Sequence, residues 1–247
     1  ASPYKSHFLL KGSSLLFALD GFKARPTIDI DLLGERISND RDSLKEVFQK
    51  VCSVECEDDG VRFDAGSLEL EPIAIEKKYP GTCVKVVAHL DTIVQQVSVD
   101  IGFGDVVTPY PVSLDYPLLL PDVPAVEIYA YSLETLIAEK FHTMVDRDES
   151  NSRMKDFFDV YQLFTYHEID KALLEEAIVS TFKNRNTSYK DNLALFTNTF
   201  AQDDTRNAWW KAFLKRIRWK EHIDFSDVMN CIKENLQEYW KEDVLGR

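Results

Sequence analysis

Leu9-Leu10-Lys11-Gly12-Ser13-Ser14-Leu15 and, further along, Thr27-Ile28-Asp29-Ile30-Asp31-Leu32-Leu33 are the two halves of the stretch that decides the fold. The second half alternates. Ile28, Ile30 and Leu32 fall on one face of a strand, and Asp29 and Asp31 fall together on the other. Neighbouring carboxylates repel, and a fold gains from the pair only if a cation sits between them. The first half is a short apolar run that stops at Gly12-Ser13 and resumes over residues 14–21 with a helical pattern, closed by Gly21. A strand, a Gly-Ser turn and a helix N-terminus together offer free backbone N–H groups, a hydroxyl and the positive end of a dipole to an anion. Taken singly, an Asp-x-Asp is a solvated strand face and a Gly-Ser is a turn. In this order and this close together, they read as a site for a metal-bound phosphate.

Working outward, Arg25 precedes Pro26 and is therefore held extended, where it can reach phosphate or pin the Asp29 and Asp31 carboxylates. Residues 40–51 repeat Leu44, Val47, Phe48 and Val51 at helical spacing. Strands follow at 61–63, 67–76, 83–90 and 92–101, with turns at Asp58-Asp59-Gly60 and Tyr79-Pro80-Gly81. In the last strand Val97, Val99 and Ile101 share the apolar face, so Asp100 points the other way. It either caps the Gly102-Phe103-Gly104 turn or supplies a third carboxylate. With Asp29 and Asp31 upstream, the catalytic role is preferred, because a third acid can complete a metal site or take a proton from an attacking hydroxyl.

Residues 108–126 carry five prolines, at 109, 111, 117, 121 and 124, and read as an extended connector. Almost everything after Tyr131 is helical. The fold expected is α+β: a mixed-sheet domain over residues 1–130 and a helical bundle over 131–247. Ser132 caps a helix on which Leu133, Leu136, Ile137, Lys140, Phe141 and Met144 form one stripe. Lys140 on that inward face must snorkel out or meet an anion. The next helix, 153–165, is apolar nearly all round; Asp156 flanks its buried surface, within reach of Lys140 or Arg153, and Asp159 lies opposite the surface's centre. Further helices are expected at 171–182, 189–200, 205–217 and 225–239. Lys211, Lys215 and Arg218 fall on one helical face among tryptophans, which suits either an RNA backbone with stacked bases or a solvated face over a Trp-anchored core.

Composition sets limits. The 247 residues are 45% hydrophobic and 12% aromatic, which is globular and not disordered. No apolar run is long enough for a membrane span and no signal peptide opens the chain, so a cytoplasmic location is expected. The sequence opens at Ala1 and not at a methionine, which implies an initial segment removed or lying outside it. Four cysteines, Cys52, Cys56, Cys83 and Cys231, match no zinc spacing and are too few for a disulfide framework. The net charge of −13 confines any RNA contact to a local patch.

The stretch resembles the nucleotidyltransferase superfamily, whose mark is Gly-Ser, a helix, then Asp-x-Asp on the next strand. The wider chain, from about Phe8 to about Leu163, resembles its AbiEii/AbiGii toxin branch, found in toxin–antitoxin and phage-defence systems. Four places carry the likeness: Leu10-Lys11-Gly12-Ser13; Arg25-Pro26-Thr27-Ile28-Asp29-Ile30-Asp31; Val99-Asp100-Ile101-Gly102-Phe103-Gly104-Asp105; and the block holding Ala138-Glu139-Lys140-Phe141 and Ser152-Arg153-Met154-Lys155-Asp156-Phe157-Phe158-Asp159. The gap between Ser13 and Asp29 is longer than in the general superfamily but usual for this branch.

The resemblance implies transfer of a nucleoside monophosphate from an NTP to an acceptor hydroxyl, with the 3′ end of tRNA as acceptor and arrested translation as the outcome. Gly12 and Ser13 would hold the β- and γ-phosphates, and Asp29, Asp31 and Asp100 would hold two Mg²⁺ ions. Lys140 would contact the triphosphate, oriented by Asp156, and a separately encoded antitoxin would restrain the enzyme. The rival readings are nucleotidylation or phosphorylation of a protein, which the acidic charge suits, and a non-catalytic nucleotide-binding subunit, which would have no need of three acids.

Overall fold

A computed structural model describes residues 2–55, 60–73, 81–117 and 125–246. Cys56, the turn residues Asp58, Asp59, Tyr79 and Pro80, the tail of the 67–76 strand and the prolines at 121 and 124 lie outside them. The chain divides into two compact units, the first made of residues 1–105 and 111–131, the second of 106–110 and 132–247.

The first unit is built on a seven-stranded mixed sheet. Its strands are β1 (Phe8–Lys11), β2 (Ile30–Gly34), β3 (Val61–Ile73), β4 (Gly81–Leu90), β5 (Ile93–Phe103), β6 (Val112–Tyr116) and β7 (Val126–Ala130), in the order β3-β4-β5-β2-β1-β7-β6. The β2–β5 and β1–β7 pairs are parallel and the rest antiparallel. Helix α2 (Arg41–Cys52) is capped by Asp40, whose carboxylate accepts from the Ser43 N–H at 3.0 Å. Its Leu44, Val47 and Phe48 pack on Leu68, Leu70, Val84, Val86 and Ile101 to form the core on one face of the sheet.

The two segments expected at 61–63 and 67–76 belong to one long strand, with an irregularity between Asp64 and Glu69 where the Asp64 carboxylate accepts from the Gly66 N–H. The proline-rich connector is also partly strand. Pro111 and Pro117 bracket β6 without interrupting it, and β6 is an edge strand, where a missing N–H costs no ladder bond.

The second unit is helical: α3 (Leu133–Arg147), α4 (Met154–Tyr166), α5 (Lys171–Asn184), α6 (Asn198–Gln202), α7 (Asp204–Arg216), α8 (Phe225–Leu236) and α9 (Glu242–Leu245). Phe141, Phe157, Phe158, Phe182, Trp210 and Phe225 are its largest fully buried side chains. Ser132 caps α3 by accepting from the Thr135 N–H, and its hydroxyl donates to the Thr108 carbonyl, fastening the 106–110 segment to that helix end. The helix expected over 189–200 does not form. Asn186 and Asn192 turn the chain through left-handed conformations (φ 54° and 62°), and the helical part that remains starts afresh at α6 behind its cap Thr197.

Candidate active site

Helix α1 (Gly12–Asp20) begins directly after β1, two residues earlier than the periodicity suggests. Gly12 makes that junction possible with φ +64°. A Cβ built on it would lie 2.3 Å from Oδ2 of Asp31, so the backbone of the Gly-Ser turn and the Asp31 carboxylate are in direct contact. Ser13 is buried and receives a hydrogen bond from Arg25 Nη2, so the arginine holds the turn's hydroxyl, a partner that neither reading of Arg25 included. The Ser14 hydroxyl donates to the Asp29 carbonyl at 2.6 Å, tying the helix start to the acidic segment.

The alternation reading needs correction at one end. Strand β2 starts at Ile30, leaving Asp29 just before it, and Ile28 is 97% exposed instead of sharing an apolar face. The fully buried residue of the strand is Leu33, on the same face as Asp31. The acidic face is therefore open at Asp31 and covered two residues later.

Register brings Asp31 and Asp100 together. Asp31 on β2 stands opposite Asp100 on β5, Asp100 opposite Cys83 on β4, and Asp31 opposite Lys11 on β1. Register partners project to one face, so Lys11, Asp31, Asp100 and Cys83 form a row across four strands, on the face opposite Ile101 and its α2 core. The row places a cation beside the acids. Lys11 Nζ lies 3.1 Å from Asp105 Oδ2 and 3.1 Å from the Tyr131 hydroxyl, with the Tyr131 ring 5.0 Å beneath it. At the other end, burial and a hydrogen bond to the Asp100 carboxylate push the Cys83 thiol up to about 11, so it stays protonated as a donor.

Among the described residues no three of His, Cys, Asp and Glu converge as a metal cage. Asp29, Asp31 and Asp100 are thus not a preformed triad. Mg²⁺ seldom needs one: it keeps several waters and takes one or two carboxylates together with substrate phosphates. The neighbouring Asp31 and Asp100, beside the N-terminus of α1, fit that donor set.

In the second unit, Lys140 on α3 is buried and donates to Asp156 Oδ1 at 3.1 Å and to Asp159 Oδ2 at 2.7 Å, both on α4. Arg153 Nε donates to the other oxygen of Asp156 at 2.7 Å. Burial alone would push the Asp156 carboxyl up, but the Lys140 and Arg153 charges outweigh it and hold it at about 2. The placement of Asp159 corrects the sequence reading. It is 1% exposed and shares Lys140 with Asp156, because residues three apart on a helix are neighbours.

The segment read as a possible RNA face is altered as well. Lys211 and Lys215 are exposed on α7, but Arg218 lies past its end at φ 56°. Trp210 is 1% exposed and donates to the Ile223 carbonyl, and Trp219 packs edge-on against Phe158. The Trp210 ring belongs to the interior, and the Trp219 ring is half-buried against it.

Sequence reasoning assigned no role to Lys11, Cys83, Asp105 or Tyr131. Lys11 and Asp105 stood beside Gly12 and Gly104 in quoted motifs, but only the strand register shows that they share a row. The contact between Gly12 and Asp31 yields a prediction. Gly12→Ala adds the left-handed penalty of about 1–2 kcal/mol, and its methyl displaces the Asp31 carboxylate. Any nucleotidyl transfer measured at saturating substrate is expected to fall at least ~10²-fold, the scale for losing one preorganised stabilising group, while the melting transition moves by only a few degrees. Near-parental turnover in this variant would show that the Asp31 position is immaterial.

A family model described as the nucleotidyl transferase AbiEii toxin of a type IV toxin–antitoxin system matches residues 1–231. No curated protein sequence matches the chain. Among solved structures, the Helicobacter pylori protein JHP933 aligns at 14% identity and TM-score 0.49, covering 94% of this chain and 86% of that one. A second H. pylori protein, provisionally assigned as a nucleotidyltransferase, aligns at 14% identity and TM-score 0.42, covering 88% and 90%. A nucleotidyltransferase-like antigen of Paracoccidioides brasiliensis aligns at 13% identity and TM-score 0.33, covering 93% and 88%.

Proposed function

The chain belongs to the AbiEii nucleotidyl transferase toxin family of type IV toxin–antitoxin systems, and from that premise we propose that it moves a nucleoside monophosphate from an NTP to the 3′-terminal hydroxyl of a tRNA. The observation that carries this reading is the register of Asp31 with Asp100 beside the Gly12-Ser13 turn. The acceptor oxygen attacks the α-phosphorus, the bond to the bridging oxygen breaks, and pyrophosphate leaves. Backbone N–H groups at Gly12 and Ser13 hold the β- and γ-phosphates, with Arg25 fixing the Ser13 hydroxyl. Asp29, Asp31 and Asp100 are the residues that would hold Mg²⁺, which supplies charge neutralisation at the reacting phosphate. Asp100 completes that donor set or takes the hydroxyl proton. Lys140 is assigned a triphosphate contact, and Asp156 orients it. Membership of a type IV system implies an antitoxin partner; restraint of this transfer is the role proposed for it, and defence against phage the setting.

The net charge of −13 favours a second acceptor class, a protein hydroxyl. One experiment separates them: the protein is incubated with Mg²⁺, each α-labelled NTP in turn, and either total tRNA or cell lysate. Label on tRNA with pyrophosphate release is expected, and EDTA should abolish it. Label on a lysate protein alone reassigns the acceptor. If no label is transferred while NTP still binds, the chain is a non-catalytic nucleotide-binding subunit.

A further inference from the structure

Lys155 and Arg216 lie on the walls of a groove in the second unit, between the start of α4 and the exposed side of α7, with a volume of about 550 Å³. Its lining includes three cations, Arg153, Lys155 and Arg216, and no acid, on a chain where Asp and Glu outnumber Lys and Arg by 42 to 29. Trp209 lines it too and is 42% exposed, unlike the buried Trp210 beside it. Arg216 lies over the Phe213 ring at 5.6 Å, which gives its guanidinium a fixed seat. Arg153 joins the groove to the buried cluster, since it is the residue that bonds Asp156.

Helix geometry explains the grouping. At about 3.6 residues per turn, positions 209, 212, 213 and 216 of α7 fall on one side, and Lys211 and Lys215 point well away from it.

We propose that this groove binds the single-stranded end of the acceptor RNA, with Lys155, Arg216 and Arg153 on phosphates and Trp209 stacked on a base; the assignment rests on the RNA acceptor proposed above. A flat aromatic surface next to spaced cations is the arrangement that single-stranded nucleic acid uses, and an acidic peptide would leave the tryptophan without a role. The −13 background makes the choice sharper, because a polyanion is repelled elsewhere on the chain and admitted where the acids are missing.

The test is binding of a dye-labelled single-stranded RNA by anisotropy over a range of salt, without NTP, so that turnover plays no part. Lys155→Glu with Arg216→Glu is compared with Lys211→Glu with Lys215→Glu, which changes the net charge equally. The groove pair is expected to weaken binding more than tenfold and to flatten the slope of log K against log salt by about 1.4, at about 0.7 per lost phosphate contact on a single strand. The control pair should weaken it by less than about threefold, from long-range charge alone. Trp209→Ala should cost about tenfold and Trp209→Phe much less, the pattern of a stacked base.

Equal effects of the two pairs, or an inert Trp209→Ala, overturn the groove. So does inorganic polyphosphate that displaces RNA from parent and Trp209→Ala alike, since that describes a plain anion patch. If the parent labels RNA and the groove variants do so with unchanged KM, the transfer reading stands and the groove falls. If the parent neither binds nor labels RNA but labels a protein, both fail.

Discussion

Asp31→Asn, which keeps the side chain's shape and removes its charge, is expected to lower nucleotidyl transfer at least ~10²–10³-fold, the scale for losing one preorganised charge-stabilising group. The fold should not suffer. Asp31 stands in register between Asp100 and Lys11, so removing its charge relieves one repulsion and gives up one attraction, and the unfolding free energy should stay within about 0.5 kcal/mol of the parent. Asp29→Asn and Asp100→Asn should be similarly inactive. A control lies in line with the same row: Glu71 on β3 stands opposite Cys83, is more than half exposed and pairs with Lys85, so Glu71→Gln should leave transfer unchanged. Turnover of Asp31→Asn near the parental rate would remove the carboxylate pair from the chemistry. Loss in Glu71→Gln to the same degree would show that the assay reports the sheet and not the site.

Lys140→Met carries the second large effect, and here structure and chemistry must be separated. The ammonium satisfies two buried carboxylates at 3.1 and 2.7 Å. Removing one member of a buried ion cluster typically costs about 3–5 kcal/mol, because the remaining charges lose their partner. The single variant should therefore be strongly destabilised at neutral pH, whatever its role in transfer.

The sign of the pH dependence follows from Asp156. Its folded pKa of about 2 lies below the ordinary 3.8, so the unfolded chain binds the proton more readily between those values. The stabilisation is fully present above pH 3.8 and is lost as pH falls through 2. In Lys140→Met only Arg153 still opposes burial at Asp156, so its carboxyl takes up a proton more readily than in the parent, and the stability gap between parent and variant should narrow on acidification. Adding Asp156→Asn and Asp159→Asn to Lys140→Met should restore most of the lost stability, since neutral amides replace the stranded charges. If Lys140 contacts phosphate, transfer stays low in this refolded triple variant. Recovery of transfer together with stability would make the lysine a structural cation only.

What could be read in advance, and what could not, follows the range of the forces involved. Leu44, Val47 and Phe48 announce α2 because helical spacing is local, and Asp100 is separated from Val99 and Ile101 by strand alternation alone. Gly12 and Ser13 likewise mark a junction that the chain makes within a few residues. The row of Lys11, Asp31 and Asp100 depends on register between strands distant in sequence, which no window of residues encodes. Asp159 was misplaced because α4 has no solvent side over much of its length: Phe157, Phe158, Val160 and Leu163 are all buried, so a wheel drawn from hydrophobicity has no clear centre. Trp210 and Trp219 look like stacking surfaces in sequence, but aromatic residues near cations are equally suited to lining a core, and only burial tells them apart.

The sheet order has a consequence for how the chain comes into being. Strand β2 waits for β5 to complete its parallel pair, and Leu10 of β1 pairs with Ala130 of β7. Such non-local parallel pairings form slowly, because the loop between them must close before any contact rewards it. A chain emerging from its N-terminus exposes Gly12, Ser13, Asp29 and Asp31 early, long before Asp100 and Tyr131 have been synthesised. The early segment holds half of the row and cannot assemble it. In a chain of a toxin family this ordering withholds the assembled row until nearly the whole first unit has been made.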